Sequence, residues 1–148
     1  MNTNIIVKQI SYESPEYYLE LELRNDVLRK PLGMNLYDQD LSTEKNYIRI
    51  AAFDENQQIL GTLLLVPQEN GVIQMKQMAV RESAQGMKIG KKIIQFAEDL
   101  IISKGFSKII LNARKVALPF YLKSGYEIQG DEFQEVGIPH FKMIKIVK

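Results

Sequence analysis

The clearest periodicity in the chain lies over residues 88–104, where Ile89, Ile93, Phe96, Ala97, Leu100 and Ile101 recur at intervals of three and four. That spacing lays one apolar stripe along a helix, and Gly105 follows where the last turn calls for a left-handed residue. A second helical pattern covers residues 16–29 through Tyr17, Leu21, Val27 and Leu28; Ser14 is placed to cap it, Pro15 suits its first position, and Pro31 with Gly33 closes it. Residues 34–45 are polar and weakly patterned, a loop or a short second helix. The β-rich runs are 5–10, 47–53, 59–67 and 72–80. Asp54-Glu55-Asn56-Gln57 and Glu69-Asn70-Gly71 separate the last three of them as turns, which predicts an antiparallel meander. Beyond the long helix come a short strand at 108–111, a short helix at 116–123 ended by Ser124-Gly125, a strand beginning at 126–128 and a last strand at 141–147.

This order predicts the α/β (α+β) class: a mixed, mostly antiparallel central sheet of about six to seven strands with helices on both faces. The strand–helix–strand unit over residues 72–111 should be parallel and right-handed. No repeat, linker or low-complexity stretch interrupts residues 1–148, so a single domain is expected.

Composition narrows the chemistry. With 45% hydrophobic and 25% charged residues the chain reads as an ordinary globular protein and not as a disordered one. Nineteen basic against eighteen acidic side chains leave a net charge of +1, too little to neutralise a run of phosphates, so no nucleic-acid partner is expected. There is no cysteine and one histidine, which removes thiolate chemistry and makes a catalytic metal site improbable; none is expected. No stretch approaches the ~20 apolar residues of a membrane span. Residues 1–10 lack a signal-peptide pattern, and a cytoplasmic address is the expectation.

The informative segment is Met78-Ala79-Val80-Arg81-Glu82-Ser83-Ala84-Gln85-Gly86-Met87-Lys88-Ile89-Gly90-Lys91-Lys92, a strand end, a glycine-containing turn and the start of the long helix. The first amides of a helix have no internal partner and sit at the positive end of its dipole, so a phosphate is well received there. Gly86 and Gly90 permit close approach to the backbone, and Lys88, Lys91 and Lys92 surround the turn with positive charge. A nucleoside-triphosphatase phosphate loop is excluded by spacing: Gly86 and Gly90 are one residue too close, and Lys92 stands where a hydroxyl should hold magnesium. The Gly-x-Gly-x-x-Gly dinucleotide fingerprint is absent.

Gln85-Gly86-Met87-Lys88-Ile89-Gly90 resembles the Gln/Arg-x-x-Gly-x-Gly/Ala cofactor loop of the GNAT superfamily of acetyl-CoA-dependent N-acetyltransferases, with Lys88 where that family usually has glycine. Ala117-Leu118-Pro119-Phe120-Tyr121-Leu122-Lys123-Ser124-Gly125-Tyr126, about thirty residues downstream, is similar to the family's Ala-x-x-Phe-Tyr-x-x-x-Gly-Phe/Tyr signature. Val27-Leu28-Arg29-Lys30-Pro31-Leu32-Gly33 and Gly137-Ile138-Pro139-His140 also resemble the ElaA-like branch.

The resemblance implies an N-acetyltransferase that moves an acetyl group from acetyl-CoA to a primary amine of a small-molecule or peptide acceptor by direct attack on the thioester, and it admits a homodimer. It implies cofactor contacts at Met78, Ala79, Val80, Gln85, Gly86, Met87, Lys88, Ile89, Gly90, Lys91, Asn112, Arg114 and Phe120. The Met78 N–H at the splayed end of its strand would polarise the thioester carbonyl, the Val80 N–H would hold the pantetheine arm, and Tyr121 would protonate the departing thiolate. For the base, Gln74 and Gln77 carry amides that cannot take a proton. Either a water chain or a residue from elsewhere then carries the proton, and of the titratable residues His140 is the candidate, ahead of Glu135 and Glu44. Asp131, Glu132 and Glu135 hint at a cationic amine. The competing reading is a non-catalytic acyl-CoA-binding sensor or scaffold.

Overall fold

Ser14 caps the first helix: its hydroxyl oxygen accepts from the Tyr17 amide at 3.3 Å, and Pro15 opens α1 (Pro15–Arg24). The helical path continues past Arg24, widening into a π-turn (Asn25–Arg29) and tightening into a 3-10 turn (Lys30–Leu32) until Gly33 goes left-handed at φ 71°. The computed structural model describes residues 4–147; the part of the N-terminal reading that falls on residues 1–3 lies outside them. Within that span the chain divides into two compact units, one of residues 4–66 and 77–97, the other of residues 67–76 and 98–147.

In the first unit, β1 (Ile6–Ile10) pairs antiparallel with β2 (Ile48–Phe53), and β2 with β3 (Ile59–Pro67). Ile10, Leu23, Ala51, Phe53 and Ile59 form one buried cluster with Val27 packed against it; Tyr17, Leu21 and Leu36 form another. The weakly patterned residues 34–45 become two 3-10 turns, Leu36–Asp38 and Leu41–Glu44, each capped by the side chain before it, Asn35 and Asp40. Burial also takes in charge: Glu20, Arg24, Glu44 and Arg49 are all inside.

The second unit is built on β5 (Lys108–Arg114). It pairs in parallel with β4 (Val72–Val80) from Val72↔Lys108 to Met75↔Leu111, and antiparallel with β8 (Ile138–Ile146). On β8 lie β6 (Glu127–Ile128) and β7 (Phe133–Glu135). The expected short helix is α3 (Leu118–Lys123), entered through a 3-10 turn at Lys115–Ala117. Both units receive residues from β4 and from α2 (Ile89–Ser103), the long helix.

Eight strands are present among the described residues, against the six to seven expected. The addition is β7. It forms a hairpin with β8 across Val136-Gly137, at φ 47° and 73°, the two left-handed positions of a type I′ turn. A β-branched valine gives no sign that it will adopt that conformation. Strand β8 accordingly starts at Ile138, ahead of the alternation that begins at Phe141. The mixed, mostly antiparallel pairing and the parallel β4–β5 ladder are as expected.

Candidate functional site

The turn between β4 and α2 belongs wholly to the first unit. Arg81 ties it to β3: its amide donates to the Leu60 carbonyl and its Nε to the Ile59 carbonyl, both at 2.8 Å. A 3-10 turn, Glu82–Ala84, follows, and the Gln85 side-chain amide reaches back to the Val80 carbonyl at 3.3 Å. The Gln85 and Met87 amides are satisfied locally, by Glu82 and Ala84. Those of Gly86, Lys88, Ile89, Gly90 and Lys91 have no acceptor among the described residues. Ile89 is buried, while Gly86, Lys88, Gly90 and Lys91 are exposed or half-buried, and a run of unpaired donors at a helix start suits an anion.

Two residues of the turn are left-handed, Gly86 at φ 85° and Lys88 at φ 60°. Beyond its two chain neighbours, no atom of the described residues lies within 4 Å of where a Gly86 side chain would begin, so a ligand can approach that backbone directly. Lys88 occupies the position where glycine is usual in the motif it resembles, and the backbone shows why glycine belongs there. Its side chain, with those of Lys91 and Lys92, is exposed. On the other side of α2, Ile89 and Ile93 press on Gly61 of β3: a Cβ on Gly61 would lie 2.9 and 2.8 Å from their side chains and 3.1 Å from the Ala79 carbonyl. The helix start is therefore held by close packing on one side and open on the other.

Strand β4 is not regular where it enters this unit. Gln77 has φ 59°, a left-handed residue inside a strand, two residues after the ladder to β5 ends at Met75. Its side-chain oxygen accepts from Arg24 Nε and Arg29 Nη2, each at 3.3 Å. Arg24 is 0% exposed, and its remaining donors bind Glu20 Oε1 at 2.8 Å and the two oxygens of Glu44 at 2.9 and 2.7 Å. Arg49 completes a net-neutral tetrad. It donates to the Glu44 carbonyl at 2.9 Å and faces Glu20 Oε2 with Nε at 3.4 Å; among the described residues these two side-chain atoms are the buried ones without a hydrogen bond. The Tyr17 and Tyr12 rings cover its guanidinium. Burial pushes the Glu20 carboxyl up even against Arg24. Sequence reading missed Arg24, Glu20 and Arg49, and Glu44 turns out to be a buried partner of arginine.

In the second unit Tyr121 is 9% exposed, its ring edge-on to Phe120 at 5.0 Å and to Tyr126 at 5.8 Å. The two neighbouring tyrosines differ in one respect. The Tyr126 hydroxyl donates to Glu98 at 2.8 Å, and Lys145 bonds the same carboxylate at 3.0 and 3.1 Å. The Tyr121 hydroxyl has no partner among the described residues and is not one of the fully buried unpaired atoms, so its oxygen retains some accessible surface although the ring is buried. Burial pushes its phenol up to about 12.

His140 is 4% exposed, with Nδ1 donating to the Ile138 carbonyl at 2.7 Å and Nε2 facing the Glu135 carboxylate at 3.4 Å. Both nitrogens face oxygens of its own hairpin, and Phe133 lies beside its ring. Asn112 donates to the other oxygen of Glu135 at 3.3 Å, and Arg114 ends β5 opposite His140. Glu132 pairs with Lys115 at 3.2 Å. Of the three acidic residues that suggested a cationic acceptor, two are therefore already engaged. Among the described residues no group of three or more His, Asp or Glu is placed to hold a metal.

Mixed, mostly antiparallel strands and a turn of unpaired amides opening the long helix define the acyl-CoA acyltransferase class of fold. A family model described as Acetyltransferase (GNAT) domain matches residues 27–147, and the chain belongs to that family. The uncharacterized N-acetyltransferase YjcF of Bacillus subtilis (strain 168) is 35% identical over 78 residues, 52% of this chain and 56% of YjcF; the match thus spans about half of that relative. Escherichia coli ElaA has the same fold, with a TM-score of 0.82 at 17% identity over 96% of this chain and 99% of its own. So does an aminoglycoside 6′-N-acetyltransferase complexed with coenzyme A, at a TM-score of 0.74 and 20% identity over 95% and 96% of the two chains. No helix among the described residues is long and apolar enough to cross a membrane.

Proposed function

We propose that the chain is an acetyl-CoA-dependent N-acetyltransferase acting on a primary amine. One observation carries the reading: among the described residues the amides of Gly86, Lys88, Ile89, Gly90 and Lys91 are unpaired, and nothing beyond its chain neighbours lies over Gly86. These residues fit a diphosphate by donor count, by dipole and by the exposed Lys88, Lys91 and Lys92 side chains. When bound, acetyl-CoA supplies an acyl group activated as a thioester. The Met78 N–H polarises the acyl carbonyl and the Val80 N–H orients the pantetheine arm, while Asn112, Arg114 and Phe120 contribute further contacts.

As the amine nitrogen bonds to the acyl carbon and the carbon–sulfur bond breaks, Tyr121 would hand its proton to sulfur and regain one through water, which also takes the proton that the new amide nitrogen sheds. Its unpartnered hydroxyl supports that role, and its high pKa keeps it protonated across the physiological range. His140, with both ring nitrogens turned to hairpin oxygens, stays outside the proton steps in this reading, and the proton of the acceptor ammonium leaves through water.

Saturating acetyl-CoA should raise the unfolding temperature, since a ligand at 100 times its Kd adds about 2.7 kcal/mol. Thiol release with a panel of amines then separates an enzyme from a binding module. Tyr121→Phe is expected to lower kcat by about 10²- to 10⁴-fold with KM for acetyl-CoA within a few-fold. No thermal shift refutes the reading; equal turnover by wild type and Tyr121→Phe refutes the role of Tyr121.

A further inference from the structure

The left-handed Gln77 needs a physical cause. A non-glycine residue at positive φ is strained and persists only where its surroundings leave no alternative. Here the constraint is visible. Glu20 and Glu44 hold the Arg24 guanidinium with three bonds of 2.7–2.9 Å, all buried. Arg24 Nε in turn holds the Gln77 side-chain oxygen, to which Arg29 also donates. The chain of contacts runs from α1 and the Leu41–Glu44 turn through one immobile arginine to the residue that bends β4, and the next peptide nitrogen after the bend is that of Met78.

We infer that Arg24, acting through Gln77, is a positioning residue for the acyl carbonyl: the buried tetrad fixes the bend in β4 and so the direction of the Met78 N–H. The inference rests on the acetyl-CoA reading above and extends it to residues remote from the cofactor loop. Gln77, unable to serve as a base, is the link between the tetrad and the site. An amide oxygen suits the role because it accepts from both arginines without adding charge to a neutral cluster.

Arg24 itself is a poor probe, since removing one partner of a buried ion cluster leaves an uncompensated buried charge and can unfold the protein. The test uses Gln77→Leu, which keeps size and loses the acceptor, and Gln77→Glu, which keeps an acceptor oxygen. In the ligand-free protein, the 13Cα and 13Cβ shifts of residue 77 report the sign of φ, and the Met78 amide shift reports its orientation. Gln77→Leu should lose the left-handed signature and move the Met78 amide; Gln77→Glu should keep both. Calorimetric titration with acetyl-CoA and with CoA then isolates the carbonyl contact, because CoA has no acyl group. Gln77→Leu should weaken acetyl-CoA by about 2- to 10-fold, the worth of one hydrogen bond, leave CoA unchanged, and be rescued by Gln77→Glu. A left-handed residue 77 in Gln77→Leu overturns the inference, as does a bend that relaxes without changing the ratio of the two affinities. If wild type binds neither ligand, the acetyl-CoA reading fails, while the ligand-free shifts still decide whether the arginine contacts of the Gln77 oxygen hold the bend.

Discussion

Lys88 adopts a backbone conformation that glycine enters without steric opposition. At φ 60° its Cβ crowds the backbone, and because the side chain is exposed no packing offsets that strain. Lys88→Gly should therefore raise stability by about 0.5–1 kcal/mol, the relieved strain exceeding the extra entropy of a glycine in the unfolded chain. Lys88→Ala keeps the strain and should not. Urea unfolding of the two variants beside wild type checks this; a Gly variant no more stable than the Ala variant would show that the turn is relaxed with a side chain. Sequence alone marked Lys88 as the departure from its motif but could not say what glycine does at that position. Gln77 was less legible still. Nothing in its neighbours signals a left-handed residue in a strand, because the cause is Arg24, 53 positions away.

The start of α2 depends on a missing methyl group. With Ile93 Cδ1 at 2.8 Å, Ile89 Cγ2 at 2.9 Å and the Ala79 carbonyl at 3.1 Å from a Cβ on Gly61, an alanine must push side chains and backbone together. Gly61→Ala is expected to cost about 1–3 kcal/mol and to weaken acetyl-CoA, since the displaced turn carries the unpaired amides. Ile93→Val in the same chain should recover part of both losses; a double mutant whose effects simply add would show that the two residues do not press on each other. The helix was plain in the sequence because its apolar residues keep a three-and-four spacing for four turns. Strand β7 was not, being three residues long, without a buried position, and entered through a left-handed valine. The site was legible to the same extent as its elements. The cofactor turn stood out by glycines and lysines close in sequence, whereas the tetrad behind it joins Glu20, Arg24, Glu44 and Arg49 from three separate segments.

Across the molecule, buried phenols set an upper pH limit on folding. Tyr17 in the first unit and Tyr121 in the second are both pushed up to about 12 by burial, Tyr17 in spite of the Arg49 guanidinium over its ring. Tyr126 is raised further by burial and by the Glu98 carboxylate its hydroxyl touches. In the unfolded chain each ionises near pH ~10. Between about 10 and 12 the unfolded state has lost these protons while the folded state keeps them, so stability falls as pH rises. The stability is fully present below pH ~10 and is lost through about 12; for Tyr121 a shift of about two units corresponds to roughly 2–3 kcal/mol. Urea midpoints should drop steeply between about pH 10 and 12, in the same window where denatured protein shows phenolate absorbance that native protein lacks. Tyr126→Phe should flatten the drop, because the residue it leaves has no proton to lose. A midpoint that does not move over that interval would mean that these phenols reach water in the native state, and the burial on which the Tyr121 reading depends would be wrong.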